Sequence, residues 1–290
     1  MGTIAITGSA SGIGRATRAW LEAGGHAVIG IDRRDAEVVA DLGTAGGRAA
    51  AVERVGDRCG GRLDGLVAAA GITGDDGPAV VSVDYFGAVA TLAGLRPFLA
   101  RAAAEPGDGA GSPGAGPAGE GPAGVGPAGV GRAGAGPRGA AAVAIASNSS
   151  TTQPGLPLDL VERCLAGDEA GARSAARDGI AAYGAAKLAL ARWVRRLAVA
   201  PGWAGAGVRL NAISPGFVDT PLTAGGWDFV ASIADIYPVP LGRPGRADEI
   251  AAIAAFLLSP DAGFFCGAVL TPDGGTEAAV RADDWPAARP

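Results

Sequence analysis

Residues 7–14 read TGSASGIG, three glycines within eight positions, set between the apolar run Ile4-Ala5-Ile6 and a helically spaced stretch at 15–21. A strand that turns through glycines straight into a helix constrains the fold more than any other feature of this chain. Glycines at such a turn permit positive φ, let the backbone approach a ligand closely and let helix and strand pack tightly. The helix N-terminus then offers free N–H groups and a positive dipole end, which suits a pyrophosphate. Gly8, Gly12 and Gly14 fill these roles, and Ser9 and Ser11 can add hydroxyl donors. With 50 glycines in the chain, a chance match is the alternative. The strand before the turn, the helix after it and a well-placed acid weigh against chance.

That acid is Asp32, which ends a second apolar strand in VIGID. A carboxylate there accepts hydrogen bonds from ribose hydroxyls and repels a 2′-phosphate, so NAD is favoured over NADP. Arg33 and Arg34 follow at once and soften the preference. Further apolar strands are expected at 63–69, 140–146, 208–213 and 268–270, beside those at 4–7 and 27–31. Helices are expected at 12–22, 84–104, 180–200 and 247–258. Continuously apolar strands alternating with helices indicate a doubly wound α/β parallel sheet of the Rossmann type, in a single domain.

Two stretches break the alternation. Residues 106–139 are almost wholly Gly, Ala and Pro in a unit close to GPAGV. A collagen helix needs a strict period of three, so this stretch reads instead as an inert, disordered insertion. The second stretch, 155–178, reads as one or two short amphipathic helices inserted before a major helix. An insertion there would rim a site at the carboxyl ends of the strands.

The formal net charge of −5 argues against nucleic acid as a partner. No apolar run looks long enough to span a bilayer, and Gly2 leads into the first strand without a signal peptide. Cys59, Cys164 and Cys266 are scattered, odd in number and without metal-ligand spacing, which reads as reduced thiols in the cytoplasm. His26 is the single histidine, and it sits in a turn between helix and strand. A multi-histidine metal site is excluded, and no metal is expected.

Four motifs in order resemble the short-chain dehydrogenase/reductase family: the TGxxxGIG turn, Tyr183-Gly-Ala-Ala-Lys187, the serine of AIASNSS at Ser147, and NAISPGFVDTP with a late DGG at 273–275. The resemblance covers nearly the whole chain except 106–139. It implies Ser147, Tyr183 and Lys187 as catalytic residues, with Asp84 of VSVDYFG standing where relatives place a catalytic asparagine. It implies a cofactor site built from Gly8, Ser11, Gly12, Ile13, Gly14, Asp32, Asp41, Leu42, Ala70, Gly71, Lys187, Pro215, Gly216 and Thr220. Ala68-Ala69-Ala70-Gly71 replaces the Asn-Asn-Ala-Gly of many relatives and keeps a small backbone. The resemblance also implies a homodimer or other homo-oligomer, because the segment 155–178 would cover the surface through which many relatives form tetramers.

Tyr183 and Lys187 are four residues apart on an expected helix and so share a face. A free phenol has a pKa of about 10, and a neighbouring ammonium favours the phenolate. Ser147 would hold a substrate oxygen, while the nicotinamide carries the hydride. Taken alone, a YxxxK is more often an exposed helix face; joined to Ser147 and the nucleotide turn it is not. Trp227, Phe229 and Tyr237 either close over a hydrophobic substrate or simply pack. The expected function is hydride transfer between NAD(H) and a small secondary alcohol or ketone, such as a steroid or similar alicyclic or aromatic ketone. The competing expectation is an NAD-binding scaffold or regulatory protein with little turnover, which Asp84 and the long insertion keep open.

Overall fold

The computed structural model describes residues 2–104 and 139–284. The insertion expected at 106–139 lies outside the described residues save for Gly139. The chain runs β1 (Thr3–Thr7), α1 (Gly12–Ala23), β2 (Ala27–Asp32), β3 (Val38–Val39), α2 (Ala45–Arg58), β4 (Gly65–Ala68) and α3 (Gly77–Val81). A π-helical turn, Ser82–Gly87, leads into α4 (Ala88–Ala104), and β5 (Ala141–Ile145) follows. Next come α5 (Ser149–Thr152), α6 (Leu158–Ala166), α7 (Glu169–Ala175), α8 (Gly179–Ala198), β6 (Arg209–Ile213), β7 (Val218–Asp219) and α9 (Trp227–Ser232). β8 (Gly245–Arg246), α10 (Ala247–Leu258), β9 (Val269–Leu270) and α11 (Thr276–Val280) complete the described chain.

Seven strands form one parallel sheet in the order β3-β2-β1-β4-β5-β6-β9. β1 therefore has β2 on one side and β4 on the other, with Ile6 opposite Gly30 and Val67. The winding reverses at that point, which opens a crevice beyond the strand ends. The glycine turn after β1 sits in it. Both faces of the sheet are covered, so Ile6, Leu66, Val143 and Leu210 are fully buried without polar alternation. The buried face of α8 carries Ala182, Ala185, Ala186 and Ala189. Such small side chains let a helix lie close to its neighbours.

The strand and helix pattern expected from sequence is present, with shifted ends and several short additions, and with α2 as the longest of them. α2 was hidden by Gly46, Gly47 and Gly56, which are poor helix formers. It forms because the Thr44 side chain caps Gly47 N at 3.0 Å and because Arg48, Ala51 and Val55 are buried along one face. The buried Arg48 is satisfied by Leu42 O at 2.8 Å and by the Glu169 carboxylate of α7 at 2.7 Å. β3, only two residues long, gave no periodicity to read. The helix expected from Asp84 starts instead at Gly77, where Asp76 caps Ala79 N at 2.9 Å and Pro78 occupies a first-turn position. Proline there lacks only an N–H that has no helical partner. The joined stretch Gly77–Ala104 is long and apolar enough to cross a membrane by length and composition, contrary to the sequence expectation; 61% of that window is buried within the molecule. That burial is the property of a core helix.

Candidate active site

The ends of β1, β2, β4, β5 and β6 surround one cavity of about 350 Å³. Gly8, Ser11, Gly12, Ile13 and Gly14 line its floor. Gly12 has φ +51°, which favours glycine, and a Cβ on it would touch only the Thr220 side chain, at 3.5 Å. A Cβ on Gly14 would collide with the carbonyl of Gly8, so the turn closes only with glycine there. Ser11 is the N-cap of α1 and makes no side-chain cap bond, which leaves the first helical N–H groups pointing to the cavity. Ser9, read as a hydroxyl donor, is instead buried against Gly30. It does not line the cavity.

Thr7 Oγ1 accepts from both Ala69 N and Ala70 N at 3.0 Å, which pins Ala70 and Gly71 to the cavity wall. Asp32 accepts from Ala10 N at 3.1 Å and Arg33 N at 2.7 Å, so its carboxylate is fixed at the rim beside the glycine turn. Asp41 and Leu42 extend the same wall, and Pro215, Gly216 and Thr220 form the opposite one. Thus, Ser9 apart, every residue expected to hold the cofactor borders a single space. That space combines a glycine floor, a helix N-terminus and an anchored carboxylate, the donor and acceptor set of a dinucleotide. The residues present fit that group.

Ser147, Tyr183 and Lys187 line the same cavity. Lys187 Nζ donates to Ile145 O at 3.1 Å and lies 5.5 Å from the Tyr183 ring centre. Ser147 Oγ accepts from Ser149 N at 3.2 Å and Ser149 Oγ at 2.8 Å, so its own proton is the one it donates, and the Tyr183 phenol lies within reach of it. Burial pushes the Tyr183 phenol above its ordinary value, and the Asp84 carboxylate pushes the same way. The Lys187 ammonium and the Ser147 hydroxyl oppose that rise without overcoming it. The expected lowering by Lys187 is therefore present but outweighed by desolvation.

Asp84 does not border the cavity; it lies behind Lys187, fully buried. The π turn carries it there, since the extra residue of such a turn rotates a side chain away from ordinary helical phase. Its Oδ1 accepts from Ile72 N at 2.9 Å, while Oδ2 is buried without a hydrogen-bond partner among the described residues. Burial raises its pKa from 3.8 to about 6, against the pull of the Lys187 ammonium and the Ile72 N–H.

Sequence reading missed Ser149 and Asn148, neighbours of Ser147. The run of small polar residues in SNSSTT was the available signal. The three aromatic residues past Thr220 divide. Trp227 packs on Phe217 with ring centres 5.8 Å apart, Phe229 is exposed, and Tyr237 turns inward to Asn148.

A family model described as Enoyl-(Acyl carrier protein) reductase matches residues 169–277. Over 97% of its length the chain is 39% identical to 3-alpha-hydroxysteroid dehydrogenase/carbonyl reductase of Comamonas testosteroni, covering 98% of that protein. The chain belongs to the short-chain dehydrogenase/reductase family, whose members are oxidoreductases with a nicotinamide cofactor. Among solved structures, it is similar to the 3-alpha-hydroxysteroid dehydrogenase from Pseudomonas sp. B-0831 complexed with NADH. That match has a TM-score of 0.77 and 41% identity, over 97% of this chain and 99% of that one. The aldohexose dehydrogenase of Thermoplasma acidophilum shares the fold, with a TM-score of 0.65 at 20% identity over 99% and 96% of the two chains.

Proposed function

We propose that this chain is an NAD-dependent dehydrogenase that interconverts a secondary alcohol and its ketone, with a 3α-hydroxysteroid or similar hydrophobic alicyclic compound as substrate. One observation carries the proposal: Ser147, Tyr183 and Lys187 border the same cavity as the glycine turn and Asp32. The name of the Comamonas relative and the NADH bound to the Pseudomonas one support the substrate class and the cofactor. Asp32 supports NAD over NADP, because a carboxylate fixed at the end of β2 would accept from ribose hydroxyls and repel a 2′-phosphate.

In this reading Ser147, which accepts from Ser149 and faces Tyr183, holds the substrate oxygen by donating to it. Tyr183 accepts the alcohol proton, or returns one to the ketone oxygen in the reverse direction. Lys187, anchored on Ile145 O, keeps an ammonium beside the phenol and favours its ionised form. The nicotinamide, when bound, supplies or accepts the hydride. Its positive charge in the oxidised form would further offset the desolvation that raises Tyr183.

The same proposal places the protein in the cytoplasm as a homodimer. Three free cysteines support a reducing compartment. The pair α6 and α7, fastened through Glu169 to Arg48, supports the smaller assembly by covering a helical face. The buried Asp84 carboxylate favours a second reading, a cofactor-binding protein without turnover. Purified protein incubated with NAD at alkaline pH and a panel of secondary alcohols, a 3α-hydroxysteroid included, separates the two. NADH formation on the panel supports the dehydrogenase. Tight NADH binding with no turnover on any member supports the second reading.

A further inference from the structure

The segment 221–244, between β7 and β8, borders the cavity through Pro221, Leu222 and Thr223. Much of the rest is exposed, Phe229, Ile236 and Leu241 included, while Val230 is buried and Trp227 packs on Phe217. Tyr237 is the residue of the segment whose side chain reaches the neighbour of Ser147. Asn148 Nδ2 donates to its hydroxyl oxygen at 2.7 Å, and that hydroxyl lies 2.9 Å from Asn148 Oδ1, to which it donates. Asn148 Nδ2 also donates to Asp273 Oδ2 at 3.2 Å. Asp273 is fixed in turn, accepting from Gly275 N at 3.0 Å and Glu277 N at 2.7 Å. The Asn148 backbone is equally committed, with its N–H donating to Pro215 O at 2.9 Å. A four-part chain of hydrogen bonds thus runs from the exposed segment, through the residue after Ser147, to the turn that opens α11.

We infer that Tyr237 is a positioning residue for the proposed reaction: through Asn148 it fastens the segment 221–244 against the cavity mouth, so that the alcohol is gripped beside Ser147. This rests on the dehydrogenase reading. Leu241 N–H, which donates to Gly274 O at 3.1 Å, fastens the segment a second time, so its fold survives loss of the phenol hydroxyl. Two physical facts make the phenol effective. A hydrogen bond partly shielded from water is stronger than one in bulk solvent, and the neighbouring donors and acceptors are already fixed by other elements. Burial above all raises the Tyr237 phenol, and Asp273 and Tyr183 push the same way, against the hydrogen bonds of Asn148 and Thr276. Tyr237 therefore stays neutral and keeps the proton it gives to Asn148 Oδ1.

Tyr237→Phe tests this, because it removes one oxygen and leaves the ring. In NAD-linked alcohol oxidation the alcohol KM should rise about tenfold, the scale of one buried hydrogen bond, while kcat changes less than about threefold. NADH affinity should stay within about twofold, since the cofactor walls make no use of Tyr237. A merely structural role would move kcat, KM and NADH affinity together. Asn148→Ala should act in the same direction, and the double variant should match Asn148→Ala alone, as expected of one shared interaction. An unchanged KM in Tyr237→Phe, or losses that multiply in the double variant, would overturn the inference. If the parent protein oxidises no alcohol, the dehydrogenase reading fails, and hydrogen exchange still decides the fastening. Amides of 222–244 must then exchange several-fold faster in Tyr237→Phe than in the parent, and equal rates would sink it.

Discussion

Replacing Asp84 with asparagine should make the protein more stable above pH 6 and shift its catalytic pH dependence toward acid. The side chain is fully buried and titrates near 6 instead of 3.8, chiefly because burial disfavours its charge. A methyl group placed on Gly71 would lie 2.9 Å from Asp84 Oδ1 and 3.4 Å from Lys187 Nζ, so the two charged atoms are at most ~6 Å apart. At an effective dielectric of about 20 that separation is worth about 3 kcal/mol of attraction. The net shift is nonetheless upward, so desolvation exceeds the attraction. With the folded pKa above the unfolded one, the group's favourable contribution is complete below 3.8 and is lost as pH rises through about 6. At roughly 1.4 kcal/mol per pKa unit, the ionised carboxylate costs about 3 kcal/mol at pH 8. An asparagine keeps the acceptor for Ile72 N and escapes this cost. Its amide hydrogens must find partners in a buried site, which takes back 1 kcal/mol or more, leaving a gain of about 1–2 kcal/mol. Urea unfolding of both proteins at pH 4 and pH 8 measures the difference, which should be large only at pH 8. Removing the carboxylate also removes one of the two influences that raise Tyr183. The acidic limb of kcat/KM for alcohol oxidation should therefore move down by about one pH unit. A stability difference that is the same at both pH values, with an unchanged acidic limb, would refute this reasoning. An inactive parent made active by the substitution would establish the non-turnover reading instead.

Three further outcomes follow from the same geometry. Asp32→Ala should narrow a preference for NADH over NADPH by at least about tenfold, measured by fluorescence titration of each cofactor, since a fixed carboxylate no longer opposes the 2′-phosphate; equal affinities in the parent would contradict the reading of Asp32. Tyr183→Phe should lower kcat by about 10³-fold or more and leave NADH affinity nearly unchanged, because only the proton-transferring hydroxyl is lost; substantial residual turnover would assign the proton to another group. Glu169→Ala should destabilise the protein by about 2 kcal/mol at pH 7 by leaving Arg48 buried without its carboxylate, as chemical denaturation would show. Arg48 holds the Glu169 pKa below the ordinary carboxylate value. That bond's contribution is therefore present above the ordinary value and lost as pH falls, and the variant should differ least from the parent in acid.

The parts of this fold that sequence exposes are those in which a local pattern and a physical need coincide. The first strand, the glycine turn and α1 are readable because one short stretch must make a buried strand, a positive φ and a helix start in succession. α10 is readable for a similar reason: an acidic first turn at Asp248 and Glu249 precedes an apolar run with no competing signal. α2 is not, because its glycines suggest a loop and its stability comes from distant partners, above all Glu169, which is 121 residues away. The site shows the same division. Residues that touch a cofactor must present set shapes and charges, so Gly12, Asp32, Tyr183 and Lys187 can be read one motif at a time. Their pKa values cannot be read that way, because burial outweighs the nearest charge at both Tyr183 and Asp84. Four residues of spacing promise that an ammonium and a phenol meet, but how much water remains around them is decided by the whole fold. Tyr237 makes the point most sharply. Its 89-residue separation from Asn148 leaves no periodicity to detect, and its surroundings in sequence suit a lid or plain packing equally well. Only the assembled sheet brings the ends of β5, β6 and β9 together, and so turns an unremarkable tyrosine into an inward anchor of a largely exposed segment.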